Sequence, residues 1–120
     1  MIYTSYFSKS GNLGNAVSIA LMSPDFFKGA EYPDLFPTKD LLNSYKYCNM
    51  SEKVYEKKYL ELLNNVRDLD LNKVAKELDG KVIICWENSN KFCHRHVVAK
   101  WLRPYIEVKE LVVESKYKLF

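Results

Sequence analysis

Glycine and proline are scarce in this chain, four residues of each among 120, and neither an internal repeat nor a low-complexity tract is evident. That excludes collagen-like, linker-like and disordered compositions. With 48% hydrophobic and 28% charged residues, positions 1–120 read as one globular domain. No apolar run approaches the roughly 18 residues of a bilayer span and no signal peptide is evident, so no membrane partner is expected. Neither sign of charge dominates. A formal net charge of +3 is too small to argue for nucleic acid by itself, although a weak basic bias suits a phosphate-bearing ligand. The three cysteines are odd in number, irregularly spaced and without a C-x-x-C pair. This argues for a reducing setting, with the cytoplasm as default. Oligomeric state is left open.

What is present is an alternation of strand and helix signals. Ile2 to Phe7 is rich in β-branched and aromatic residues and runs into the turn formers Ser8 to Asn12, which predicts a first strand and its loop. Ala16 to Leu21 predicts a second strand, ended by Ser23-Pro24-Asp25. Residues 26–37 read as an ordered loop anchored by Phe26, Phe27, Tyr32 and Phe36.

Three helices follow. Thr38, Ser51 and Asp70 are placed to cap them, because a short polar side chain there can accept a hydrogen bond from an unpaired N–H of the first turn. The first carries Leu41, Leu42, Tyr45 and Cys48 at helical spacing, the second Val54, Tyr55, Tyr59, Leu62, Leu63 and Val66. Gly80 sits where a left-handed cap ends the third. Val82 to Cys85 is apolar without alternation, the mark of a strand covered on both faces and therefore central. Phe92 to Arg103 predicts a helix ended by Pro104, and Ile106 to Val113 a last strand. The order of elements predicts an α/β fold with a mostly parallel sheet and helices on its faces. The layout is Rossmann-like without the dinucleotide glycine motif, since Gly11-Asn12-Leu13-Gly14 lacks the required spacing, and no cofactor is expected.

In open α/β sheets ligands settle beyond the carboxyl ends of the strands. Two loops there carry chemistry: Ser5, Tyr6, Ser8, Lys9 and Asn12 after the first strand, and Glu87, Asn88, Cys93, His94 and Arg95 after the central one. They face one cleft if the two strands are neighbours. Arg95 offers a planar fork of donors to a phosphate at the helix start, or else pairs with Glu87 as a structural clamp. Cys93 beside His94 is a candidate nucleophile, with His94 or Glu87 handling protons; the favoured reading is a small apolar core residue in line with Val97 and Trp101. Cys85 and Cys48 are expected in the core. A metal set from Cys85, Cys93, His94 and His96 is not expected, because the cysteines are eight apart and the two histidines point to different sides of one helix. His94 is expected to bond a backbone carbonyl, and His96 to be solvated.

The segments Val82-Ile-Ile-Cys-Trp-Glu and Lys91-Phe-Cys-His-Arg-His-Val-Val-Ala-Lys-Trp-Leu resemble the signature of the family called domain of unknown function 488. The resemblance extends back through Leu35-Phe-Pro, Leu41-Leu, Tyr45-Lys and the Tyr55 to Leu60 helix to Ile2-Tyr-Thr. It implies a compact α/β fold with a site at Cys85, Glu87, Cys93, His94 and Arg95, and no particular activity. Many members follow the first strand with a Gly-His-Ser type sequence. This chain has Ser5-Tyr6-Phe7-Ser8 instead, so no role resting on that histidine carries over.

The leading expectation is a small domain that binds a phosphate-bearing small molecule, a nucleotide or derivative, through Ser5, Tyr6, Lys9, Asn88 and Arg95. Catalysis by Cys93, His94 and Glu87 is optional in that reading. The alternative is a binding module for nucleic acid or protein in which the Cys-His-Arg segment is a structural lock.

Overall fold

The computed structural model describes residues 1–86 and 93–111. Strand β1 (Ile2–Tyr6) leads directly into one helical turn, α1 (Phe7–Ser10), where the turn-forming sequence predicts a loop. Then come β2 (Ala16–Ser18), β3 (Ala30–Glu31), a 3-10 turn at Pro33–Leu35, α2 (Lys39–Tyr47), α3 (Glu52–Glu61) with a π-helical turn at Leu62–Val66, α4 (Leu71–Leu78), β4 (Val82–Cys85), α5 (His94–Leu102) and β5 (Val108–Glu110). Among the described residues no helix is long and apolar enough to cross a membrane.

The five strands form one parallel sheet in the order β3-β2-β4-β1-β5. β4 is central, as its unbroken apolar run requires. Val82, Ile84 and Cys85 belong to a cluster with Phe7, Ala16, Ala20 and Phe27, while Ile83 joins the larger core of α2 to α5 with Ile2, Val17, Tyr55, Tyr59, Leu63 and Leu102. One face of the sheet therefore carries the four longer helices. The other is covered by α1 and the segment around Phe27, a lighter cover than helices on both faces.

The three caps form as the sequence predicts: Thr38 Oγ1 accepts from Leu41 N at 3.1 Å, Ser51 Oγ from Val54 N at 3.2 Å, and Asp70 Oδ1 from Asn72 N at 2.9 Å. Gly80 takes φ +83°, which side chains disfavour, and this turns the chain from α4 into β4.

Other expectations need correction. β2 ends at Ser18, whose hydroxyl turns back to accept from Ala20 N, although Ile19 N still bonds Ile84 O at 3.1 Å. Phe26 is exposed, and the wholly buried anchor of its segment is Leu35. Cys48 lies exposed at the C-terminal end of α2 instead of in the core. Val54 is also exposed, and so is Val66, because the π turn inserts a residue and each residue rotates the helix by ~100°. The last strand is shorter than predicted, and residues 112–120 lie outside the described ones.

Candidate functional site

β1 and β4 are neighbours, with Tyr6 beside Cys85, so the condition for a shared site at their carboxyl ends is met. Cys85 ends β4 without solvent exposure, and Cys93 occupies the N-cap of α5, nearly buried. Their sulfurs are joined in a disulfide across a sequence separation of eight, with the Cα atoms 7.2 Å apart. The sequence reading does not anticipate a bond between this pair. A strand end and a helix start brought together by the sheet create a proximity that no local spacing announces.

His94 follows at once. Its Nε2 lies 2.7 Å from the carbonyl oxygen of Ile19, as the expected carbonyl contact requires. A carbonyl only accepts, so the bond assigns the ring proton to Nε2 and leaves Nδ1 with its lone pair free. Nδ1 is 3.7 Å from Cys93 Sγ. The ring packs edge-on against Tyr59, and burial drives its pKa down to about 4, so the imidazole is neutral at ordinary pH.

Arg95 is wholly buried. Among the described residues its carboxylate partner is Glu110 of β5: Nη2 donates to Oε2 at 2.9 Å and Nε to Oε1 at 3.2 Å, while Nη1 donates to Cys85 Sγ at 3.1 Å. The Thr4 hydroxyl also donates to Glu110. The expected partner Glu87, like Asn88, lies outside the described residues. Glu110 was missed by sequence reading because its role depends on β5 lying beside β1, where Glu110 pairs with Thr4 in register. His96 is half-buried rather than solvated, 3.8 Å from Glu110, and its pKa is lowered by burial and by the charge of Arg95.

On the β1 side, Ser5 is buried and its hydroxyl is 2.7 Å from that of Ser10. Tyr6 is half-buried, with the Lys9 ammonium 5.7 Å and the Arg95 guanidinium 5.6 Å from its ring centre. Lys9 also donates to the carbonyl of Leu111.

Of the four residues weighed as metal ligands, the fold brings three together: the ligand atoms of Cys85, Cys93 and His94 lie within 4.8 Å of one another. His96 is directed elsewhere. Two surface hollows, one lined by Arg103, Tyr105 and Lys109 and the other by Thr38, Leu41 and Leu62, include none of these residues.

The family model described as "Active DUF488-N3 subclade", DUF488-N3a, matches residues 24–105. The matched stretch contains Cys85, Cys93, His94 and Arg95; Tyr6, Lys9 and Glu110 lie beyond it. No curated protein and no solved structure matches the chain.

Proposed function

This chain belongs to the DUF488-N3a family, and on that footing we propose that it binds a phosphate-bearing small molecule, a nucleotide or nucleotide derivative, at the carboxyl ends of β1 and β4. The observation that carries the reading is the convergence of two cations on Tyr6. Arg95 is balanced by Glu110, whereas among the described residues Lys9 has no carboxylate within ion-pair distance. The excess charge at the rim therefore belongs to Lys9, and the half-buried Tyr6 ring beside it offers a face for a base. Arg95 supports the site from beneath by fixing β5 and Cys85.

The chemistry would centre on Cys93 and His94. Once reduced, a thiol beside a neutral imidazole of fixed tautomer can exchange a proton, the arrangement that cysteine-dependent catalysis requires. The word "Active" in the family description agrees with a reacting centre. A cytoplasmic location is part of this reading, because it would keep the pair reduced.

A second reading, a nucleic-acid or protein binding module with Cys-His-Arg as a structural lock, is favoured by one observation: the Arg95 fork is already engaged by Glu110 and Cys85. Thermal shift under reducing conditions separates the two. Nucleotides, sugar phosphates and inorganic phosphate are screened against wild type and Lys9→Ala. A ligand at a hundredfold excess over its Kd stabilises the folded state by about 2.7 kcal/mol. The expected result is a shift in wild type that a folded Lys9→Ala protein loses. No shift with any compound would reject the phosphate site and leave the lock.

A further inference from the structure

We propose that reduction of the Cys85–Cys93 bond opens a metal site, in which Cys85 Sγ, Cys93 Sγ and His94 Nδ1 hold one zinc-class divalent cation, the three protein ligands found among the described residues. The proposal rests on the functional reading above only for the location of the ligand cleft; in the metal-bound state Cys93 Sγ and His94 Nδ1 are ligands, and this replaces the proton exchange between them.

The donor set is the first argument. Two thiolates and an imidazole are soft to borderline ligands, suited to zinc or cobalt and poorly suited to magnesium or calcium, which take oxygen. All three atoms are buried and already within 4.8 Å of one another. The 7.2 Å between the cysteine Cα atoms leaves room for an ion between the sulfurs, each metal–sulfur bond being about 2.3 Å.

The surroundings of the three ligands are the second, independent argument. A metal-bound histidine is ordinarily oriented by a hydrogen bond from its other nitrogen, often to a backbone carbonyl. His94 has that bond, Nε2 to Ile19 O at 2.7 Å, and it leaves Nδ1 directed towards Cys93. A buried thiolate is stabilised by an N–H donor, and Arg95 Nη1 supplies one to Cys85 at 3.1 Å. Charge also balances. Two thiolates offset a divalent cation, and among the described residues the Arg95 charge is offset by Glu110.

A phosphine reductant takes up one oxygen from water as the disulfide becomes two thiols; the cation then displaces two thiol protons to solvent. In this state Cys93 presents its sulfur to the ion. Among the described residues the site has three protein ligands, the number found in catalytic rather than structural zinc sites, so a water or ligand phosphate oxygen in the fourth position would be the group activated.

The test uses the full chain, reduced anaerobically with tris(2-carboxyethyl)phosphine and titrated with Co²⁺. Expected are one equivalent of tight binding, the thiolate-to-cobalt charge-transfer band, and its loss on adding Zn²⁺. Oxidised wild type should show none of this, a comparison that needs no variant to fold. Cys85→Ser, Cys93→Ser and His94→Ala should each weaken binding at least tenfold, while Cys48→Ser, altered at the exposed cysteine, should bind like wild type. Reduced wild type that takes up no cobalt, or binding that survives Cys93→Ser and vanishes in Cys48→Ser, would overturn the proposal. Metal uptake with no phosphate-ligand shift in the metal-loaded protein would keep the metal site and reject the functional reading; the reverse pattern would reject the metal alone.

Discussion

Arg95 and Glu110 meet through two hydrogen bonds in a forked arrangement that ties the start of α5 to β5, with Arg95 wholly buried and Glu110 about a quarter exposed. The pair is asymmetric in what its loss leaves behind. Glu110→Ala takes a carboxylate away from a wholly buried guanidinium that keeps its bond to Cys85, and should cost about 3 to 5 kcal/mol. Arg95→Ala leaves a carboxylate that still reaches water, so it should cost somewhat less, about 2 to 4 kcal/mol including the lost packing. Urea unfolding of both single variants and the double variant checks this. The double should be less destabilised than the sum of the singles by at least ~1 kcal/mol; additivity would show that the two side chains do not act as a pair.

The state of the cysteines is open to direct counting. Cys48 is free and exposed, whereas Cys85 and Cys93 are bonded to each other. Iodoacetamide under denaturing, non-reducing conditions should therefore add one carbamidomethyl group to protein purified without reductant, and three after reduction. Three adducts without reduction would mean that the pair is reduced in the protein as isolated.

Much of this architecture was legible because it is written in local pattern. Capping residues, a left-handed glycine and an unbroken apolar strand each act over a few residues, and Thr38, Ser51, Asp70, Gly80 and Val82 to Cys85 do what their chemistry indicates. The site was legible only in part. That Cys93, His94 and Arg95 open a helix at a strand end could be read directly; that Arg95 finds Glu110 and that Cys85 meets Cys93 could not, because both depend on strand order across the sheet. Val66 illustrates a subtler failure. Its helical spacing was right, and a π turn moved it off the face.

Tyr59 ties α3 to the segment before α2. Its hydroxyl donates to the carbonyl of Leu35, both residues are wholly buried, and burial holds the phenol well above its usual pKa. Tyr59→Phe keeps the ring and strands the carbonyl, so it should cost about 1 to 3 kcal/mol. Ser51→Ala removes an exposed cap on the same helix and should cost about 1 kcal/mol. Thermal melts that rank Ser51→Ala as the more damaging would show that the Tyr59 contact contributes little.

His94 makes stability depend on pH in one direction. Burial lowers its folded-state pKa from 6.5 to about 4, so between these values the unfolded chain binds a proton that the folded protein does not. Stability should be fully present above about pH 6.5 and fall as the pH drops towards 4, by up to about 3 kcal/mol from this residue. Half-buried His96, also lowered, loses stability in the same direction, so wild type alone cannot isolate the effect. The informative quantity is the difference between wild type and His94→Asn, which removes the titrating ring and retains a donor for Ile19. Proteins with the Cys85–Cys93 bond intact should be compared by urea unfolding at pH 7.0, 6.0 and 5.0. The stability advantage of wild type over His94→Asn should shrink steadily across that range, by about 2 kcal/mol between the extremes. A constant difference would mean that His94 titrates near its ordinary value, and hence that its ring is not held neutral between Ile19 and Cys93.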